Sequence, residues 1–527
     1  MKKIRVNKRD QHRVLLTEVL PYETPFFFSN EGFYKYCGKK FNDSPLIIKK
    51  LIGKWKSDSN RPNPKDLNTI PYSYEIRKNV IENRTLSLMH PAIQLQVVAL
   101  YSEFSHIILN LCQRSQFSLR HPNEIVSMFY GQDGPRIDEE LQYCSNYFEY
   151  EKYNFLYNFF DSYEFNRLEK RFPHLRTFDI SKCFDHIYTH TISWAVKSKS
   201  FAKEEIRKRT FDSDFDALMQ ASNYKETAGI LIGSEVSRIF AEIILQKVDA
   251  NVINKAEEEG LKIGVDYNVR RYVDDYFVFS LSAEIGQQIM RLFSNELKLY
   301  RLSFNEAKTN DHIVPFMTPI SSAKIELSGV FNDFFDSMVE RNSADEIFIS
   351  WRVERKSLRF IQKIKSIIKI HNINYVSVSS LIFSILEKRL KENIKQLLNT
   401  SDSKESIGYL LFALVEVTFF VYAMDVRVSS TYKVTRICIE ALKAIESMPA
   451  DIIDKVKKKI HDESMLIFDI EINKQPDLYM EIINLLAVCK LLGDEYRLPT
   501  KKIDYLIKRN YSETLILGNA GTALPVR

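Results

Sequence analysis

The stretch Arg271-Tyr272-Val273-Asp274-Asp275-Tyr276-Phe277-Val278-Phe279-Ser280 sets two adjacent carboxylates inside an aromatic, β-branched run that otherwise has the composition of a strand. Asp is a poor strand former, so the pattern predicts a tight hairpin with Asp274 and Asp275 at its tip. Carboxylates held on a rigid turn are hard oxygen donors of the kind that suit Mg2+. Alone, the stretch also reads as an exposed Asp-Asp turn. Upstream, Thr177-Phe178-Asp179-Ile180-Ser181-Lys182-Cys183-Phe184-Asp185 is a second strand-like run that ends on an acid before a helical segment. By itself Asp179 reads as a helix cap. Taken with the downstream pair it becomes a third carboxylate. Two divalent ions about 4 Å apart, shared by Asp179 and Asp274, would activate a 3′-hydroxyl and neutralise a triphosphate, which is the requirement of nucleotidyl transfer.

The chain around these motifs has 527 residues, enough for about three domains. With 45% apolar and 27% charged residues, 15 Gly and 16 Pro, it has an ordered globular composition, which excludes a disordered or fibrous protein. The net charge of +6 permits an acidic partner without requiring one. The six cysteines show no CxxC or CxxH spacing, so neither a zinc ribbon nor a disulfide framework is expected, and a reducing cytoplasm fits. The basic N-terminus lacks the apolar stretch of a signal peptide. The most apolar run, Tyr409 to Met424, contains Glu416 and Thr418 and reads as a buried helix rather than a membrane span.

Three regions are expected: a basic, aromatic N-terminal lobe over 1–60, a mixed α/β region over 61–350 and an all-helical region over 351–527. In the last, Leu358, Ile361, Ile364 and Ile368 predict the apolar stripe of a first helix. Its other face would carry Arg352, Arg355, Lys356, Arg359, Lys363 and Lys365, a surface suited to a nucleic-acid backbone, or simply a solvated one. His186 and His190 have the spacing of a metal pair but no third ligand is suggested.

The ordered motifs resemble the palm of reverse transcriptases over about residues 70–335. The run from Phe178 to Asp185 looks like the first catalytic motif and Tyr272-Val273-Asp274-Asp275 like the second. Gly229 to Glu242 resembles the loop and helix that contact nucleotide and template, with Ile232 where many members have Gln. Leu302 to Thr309 looks like the motif whose lysine lies near the triphosphate, here Lys308. Ser328-Gly329-Val330-Phe331 loosely resembles the primer grip, and Arg84 to Gln94 the fingers segment. The resemblance implies an α+β right-hand polymerase, with fingers and palm followed by an all-α thumb-like domain. It implies catalysis by Asp179, Asp274 and Asp275, and two Mg2+ ions, replaceable by Mn2+, held at Asp179, Ile180, Asp274 and Asp275. The dNTP would be bound by Arg77, Lys78, Arg84, Phe184, Gly233 and Lys308. Phe184 would stack beneath the sugar and crowd a 2′-hydroxyl.

The helical tail, Phe117 to Pro122 and Asp179 to Ala195 resemble bacterial abortive-infection and defence-associated reverse transcriptases. The opening Arg13 to Tyr34 looks closest to the B-type subunit of the type 3 antiphage system, which pairs two reverse transcriptases with a non-coding RNA. This implies a cytoplasmic enzyme, not membrane-bound, in a homo- or hetero-oligomer with a second reverse transcriptase. It would act on dNTPs with a DNA or RNA primer–template or the non-coding RNA, and make simple-repeat or unconventionally templated DNA. The primer would be a 3′-hydroxyl or a tyrosine such as Tyr409, Tyr432 or Tyr511. Ile232 and the segment Pro21-Tyr22-Glu23-Thr24-Pro25 suggest that the N-terminal lobe enters the template channel, Glu23 accepting a hydrogen bond from a base amine. The alternatives are a non-catalytic nucleic-acid scaffold on a polymerase fold, a retron or intron-type enzyme, and a helical interaction protein with an incidental palm.

Overall fold

The computed structural model describes residues 3–5, 10–38, 64–79, 82–125, 129–131, 146–153, 155–204, 210–341, 347–349, 352–397, 403–474 and 480–503. Tyr511, the expected region boundaries at 60 and 350 and the last residues lie outside them. A four-stranded antiparallel sheet stands at the centre, in the order Asn310–Ile313, His174–Asp179, Asp275–Ser280, Tyr267–Tyr272. Both of its faces are covered. Phe178, Tyr276 and Val278 face a core shared with the helices Glu235–Glu258 and Ala283–Leu299, whereas Leu175, Phe277 and Phe279 face an aromatic cluster with Phe159, Phe165 and Phe172. Because successive residues of a strand point to opposite faces, two buried faces produce the continuous apolar runs of the sequence.

A hairpin of Tyr72–Arg77 and Asn83–Leu88 precedes the long helix Pro91–Leu111, whose entry is shaped by Pro91 and by His90 Nδ1 accepting from the Ala92 amide at 3.2 Å. The helices Pro319–Met338, Val353–Ile370, Ser379–Leu397, Ser403–Met424, Val428–Ala444, Ala450–Lys474 and Ile483–Leu491 build a second core. From Val353–Ile370 onward each helix packs against the next but one as well as against nearer neighbours, so the stack grows as a double layer. The architecture is α+β with a helical C-terminal region, as the sequence predicts. Among the described residues two helices, Pro91–Leu111 and Glu405–Met424, are long and apolar enough to cross a membrane, and each is packed within one of the two cores.

Three features of the packing stand beside the expected organisation. The second core begins at Ala323, in the helix that follows the sheet. The described part of the N-terminal lobe is not a separate unit. Val14, Leu15 and Val19 are fully buried in the first core, and the Glu18 carbonyl accepts from the amides of Glu235 and Val236 at 3.0 and 3.2 Å, satisfying two of the open donors at the start of helix Glu235–Glu258. Ser328 to Phe331 lies within helix Pro319–Met338, with Phe331 buried against Phe360, so the loosely matched primer grip is a core helix here.

Pro21 packs on Gly233, whose φ of +121° favours glycine and where a Cβ would come within 2.7 Å of Pro21 Cβ. Gly233→Ala is therefore expected to cost about 1–3 kcal/mol and to loosen the N-terminal segment. The check is a lower melting temperature together with faster amide exchange over residues 18–26.

Candidate active site

Strand pairing brings the three aspartates together. Asp179 ends its strand directly opposite Asp275, and Tyr272 pairs with Asp275 across a two-residue turn formed by Val273 and Asp274. The Asp274 carbonyl accepts from the Ile180 amide at 3.2 Å, which ties the turn to the first motif. Asp179 Oδ2 accepts from Lys308 Nζ at 2.7 Å, whereas Asp179 Oδ1 is buried without a hydrogen-bond partner. Burial, then the neighbouring aspartates, pushes Asp275 up to about 7. Asp274 is raised, chiefly by burial and further by Asp179. Lys308 is shifted upward, first by its hydrogen bond to Asp179 and also by the charges of all three aspartates.

Three crowded carboxylates with an orphaned buried oxygen are the donor set a hard divalent cation takes. Asp179, Asp274 and Asp275 would hold it. Among the described residues no three such groups are already gathered as around an ion. The ammonium of Lys308 holds one oxygen of Asp179 and partly offsets the repulsion. Reverse transcriptase domains generally use divalent ions, which supply charge neutralisation and an activated hydroxyl when bound.

The turn itself rests on a residue that the sequence reading passed over. Val273 has φ +57°, a left-handed conformation that a β-branched residue rarely adopts. Its carbonyl is held at 2.9 Å by Arg271 Nη1. Arg271 is fully buried, with Nη1 and Nη2 on Glu242 at 2.8 and 3.0 Å and Nε on Asp249 at 2.9 Å, and Tyr276 donates its hydroxyl to the other Asp249 oxygen. One helix therefore supplies the countercharge that fixes the strand end. A signal was present: Glu235, Glu242 and Asp249 recur every seventh residue along the helix, hence on one face. Glu235 is paired with Arg120 at 3.0 Å and Arg238 at 3.2 Å, which hold its carboxyl low against the effect of burial. Its buried neighbour Glu18 is driven up, by burial first and then by Glu235.

The other predicted residues divide. Phe184 is half-buried in the short helix Cys183–His186, and its carbonyl accepts from Ile230 at 2.9 Å, so it adjoins the Gly229–Gly233 loop. Lys78 is exposed in the hairpin turn, paired with Glu82 at 2.8 Å. Arg84 and Glu23 form an ion pair with each other, and Tyr74 donates to the Glu23 carbonyl at 2.9 Å. Gly233 is covered by Pro21. Arg77, predicted on the dNTP, engages Glu471, Glu481 and Val426 of the C-terminal domain here. On helix Val353–Ile370, Arg352, Arg355, Arg359 and Lys363 are exposed, and Lys356 reaches the Ser337 carbonyl. Lys365 lies over the Phe420 ring. The helix buries Val353, Phe360, Ile361, Ile364, Ile367 and Ile368, whereas Leu358 is 56% exposed and drops out of the expected stripe. His190 pairs with Asp216 while His186 is exposed, so the two do not act as a pair. Tyr409 packs against the second core and Tyr432 lies beside Arg436.

Asp275 titrates above an unfolded aspartate. It therefore contributes stability that is complete below about pH 4 and lost as pH rises through about 7. Asp275→Asn is expected to melt higher than the wild type at pH 8 in EDTA, with the gain vanishing near pH 4 in paired melting curves. Arg271→Met leaves Glu242 and Asp249 buried without their cation, at a cost of about 3–5 kcal/mol. Displacement of the turn should lower the polymerisation rate about 10²-fold, and Arg271→Lys should recover part of both losses in melting and single-turnover measurements.

A family model described as reverse transcriptase (RNA-dependent DNA polymerase) matches residues 104–366. No curated protein matches the sequence. Among solved structures, telomerase from Candida albicans in complex with a telomeric RNA fragment is similar at 12% identity and TM-score 0.30, over 90% of this chain and 68% of that one. Apo telomerase from Candida tropicalis is similar at 12% identity and TM-score 0.32, over 94% and 77%. The family match runs through every strand of the central sheet and both carboxylate motifs, and the chain is accordingly an enzyme with a reverse transcriptase domain, an RNA-directed DNA polymerase.

Proposed function

We propose that this polymerase uses Mg2+, held by Asp179, Asp274 and Asp275, to add dNTPs to a 3′-hydroxyl or a protein hydroxyl. The observation that carries the proposal is the register of Asp179 against Asp275, with Lys308 beside them. The residues around this centre have defined tasks. Lys308, exposed at its ammonium end, is freed from Asp179 when a cation takes its place and meets the triphosphate. Phe184, beside the glycine loop, crowds a ribose 2′-hydroxyl and favours deoxynucleotides.

The biological setting is bacterial antiphage defence in the cytoplasm, as the B-type member of a type 3 pair, with a second reverse transcriptase and a non-coding RNA. The resemblance of the opening segment supports this reading. The same segment lies against both the glycine loop and the hairpin, through Pro21 on Gly233 and Glu23 on Arg84. That arrangement favours unconventional templating, in which Glu23 leaves Arg84 to accept from a base amine. The exposed cations Arg355, Arg359 and Lys363 are suited to the backbone of the nucleic acid.

The deciding experiment incubates the purified chain with Mg2+ and each dNTP, singly and in pairs, without template, and sequences any DNA. The expected outcome is a product of restricted composition, abolished by Asp274→Asn with Asp275→Asn and changed in sequence or yield by Glu23→Ala. Product unaffected by Glu23→Ala would remove the templating role. Synthesis that appears only with a partner polymerase or RNA would put the sequence information outside this chain. Silence under every condition would favour the scaffold.

A further inference from the structure

Arg77 closes the first strand of the Tyr72–Leu88 hairpin and inserts into a socket built far away in the chain. Its amide donates to Glu481 Oε1 at 2.6 Å, Nη1 to the Val426 carbonyl at 3.0 Å and Nη2 to Glu471 Oε2 at 2.7 Å. Glu471 and Glu481 are buried, 3% and 0% exposed, so the contact is a desolvated joint and not a surface ion pair. Apolar packing extends it, as Tyr74, Ile76 and Leu86 share a cluster with Val428. The N-terminal segment is fastened at the same seam by the Phe26 amide on Asn484 Oδ1 at 3.0 Å.

The second strand of the hairpin is tied to the glycine loop. The Ser87 amide donates to the Ile232 carbonyl of the glycine loop at 3.1 Å. The Ile230 amide of the same loop donates to the Phe184 carbonyl at 2.9 Å, five residues on from Asp179. Among the described residues, two attachments join the C-terminal domain to the polymerase core. One is the covalent passage from strand Asn310–Ile313 into helix Pro319–Met338, and the other is this seam.

We propose that Arg77 is a positioning residue: it clasps the hairpin to the helical C-terminal domain, keeping the hairpin against the glycine loop beside the carboxylate centre and enclosing the primer–template between hairpin, central sheet and helices. Arg77 touches no nucleotide in this role. Its loss acts through the hairpin, by letting it swing and by letting nucleic acid escape.

The test compares full-length wild type, Arg77→Ala, Arg77→Lys, Glu471→Gln and Glu481→Gln. Two quantities are read: amide exchange over residues 72–88, and the rate at which a fluorescein-labelled RNA–DNA hybrid dissociates. Arg77→Ala and Glu471→Gln are each expected to speed exchange of the hairpin and to raise dissociation about tenfold. The KM for dNTP should stay within about twofold of wild type, with Arg77→Lys intermediate. Unchanged exchange and dissociation in Arg77→Ala overturns the clasp. So does a raised KM in Arg77→Ala with Glu471→Gln behaving as wild type, the signature of a direct triphosphate contact. If Arg77→Ala does not fold, Arg77→Lys and Glu481→Gln decide by the same two readings. The kinetic arm rests on the polymerase activity. The exchange arm does not, so a failure of polymerisation with Asp274→Asn and wild type alike is distinguishable from a failure of the clasp.

Discussion

The guanidinium of Arg271 is the point on which the polymerase core turns. A cation with no exposed surface survives only because Glu242 and Asp249 meet it from one helix, and it repays them by holding the Val273 carbonyl in a turn that valine would not choose. From that turn follow the positions of Asp274 and Asp275, and from their pairing with the neighbouring strand follows Asp179. Repulsion among these acids is the strain the site carries until a cation relieves it. Lys308 offsets part of it meanwhile.

What could be read from the residues was the chemistry and the class of fold. Asp-Asp in an apolar run demands a turn and a countercharge, and the two-sided burial of the sheet writes itself into runs such as Tyr276 to Phe279. The helical tail was equally plain, because an apolar stripe at 3.6-residue spacing is a local pattern. Leu358 left the stripe because the helix turned its buried face toward Val353, Phe360 and Ile367, a choice made by its packing partners. The roles of individual cations were not legible. Arg77, Lys78 and Arg84 look alike in sequence, yet one enters a buried acidic socket, one stays at an exposed turn and one meets Glu23. Their partners lie as far as 404 residues away, beyond any local pattern.

The N-terminal segment shows the same lesson in reverse. Its basic and aromatic composition suggested an arm that touches something acidic outside the protein. Among the described residues Arg13 lies on the Tyr147 carbonyl and ring and Tyr22 on Glu235 and Asn146 beneath Arg238, whereas Phe27 and Phe28 stay exposed. The Glu18 carbonyl then completes the start of the helix that carries Glu242 and Asp249. The segment is therefore part of the scaffold of the carboxylate centre as well as a neighbour of the glycine loop.

The bond from Phe26 to Asn484 spans 458 residues, which sets an order on the birth of the molecule. At the usual pace of translation, roughly 5–20 residues per second, about 25–90 seconds separate the two partners as they leave the ribosome. The central sheet and its carboxylates can assemble within that interval, since their strands all precede Ile313. The seam cannot. A nascent chain can therefore hold its three aspartates in place while the hairpin is still unfastened from the helices that the ribosome has yet to release.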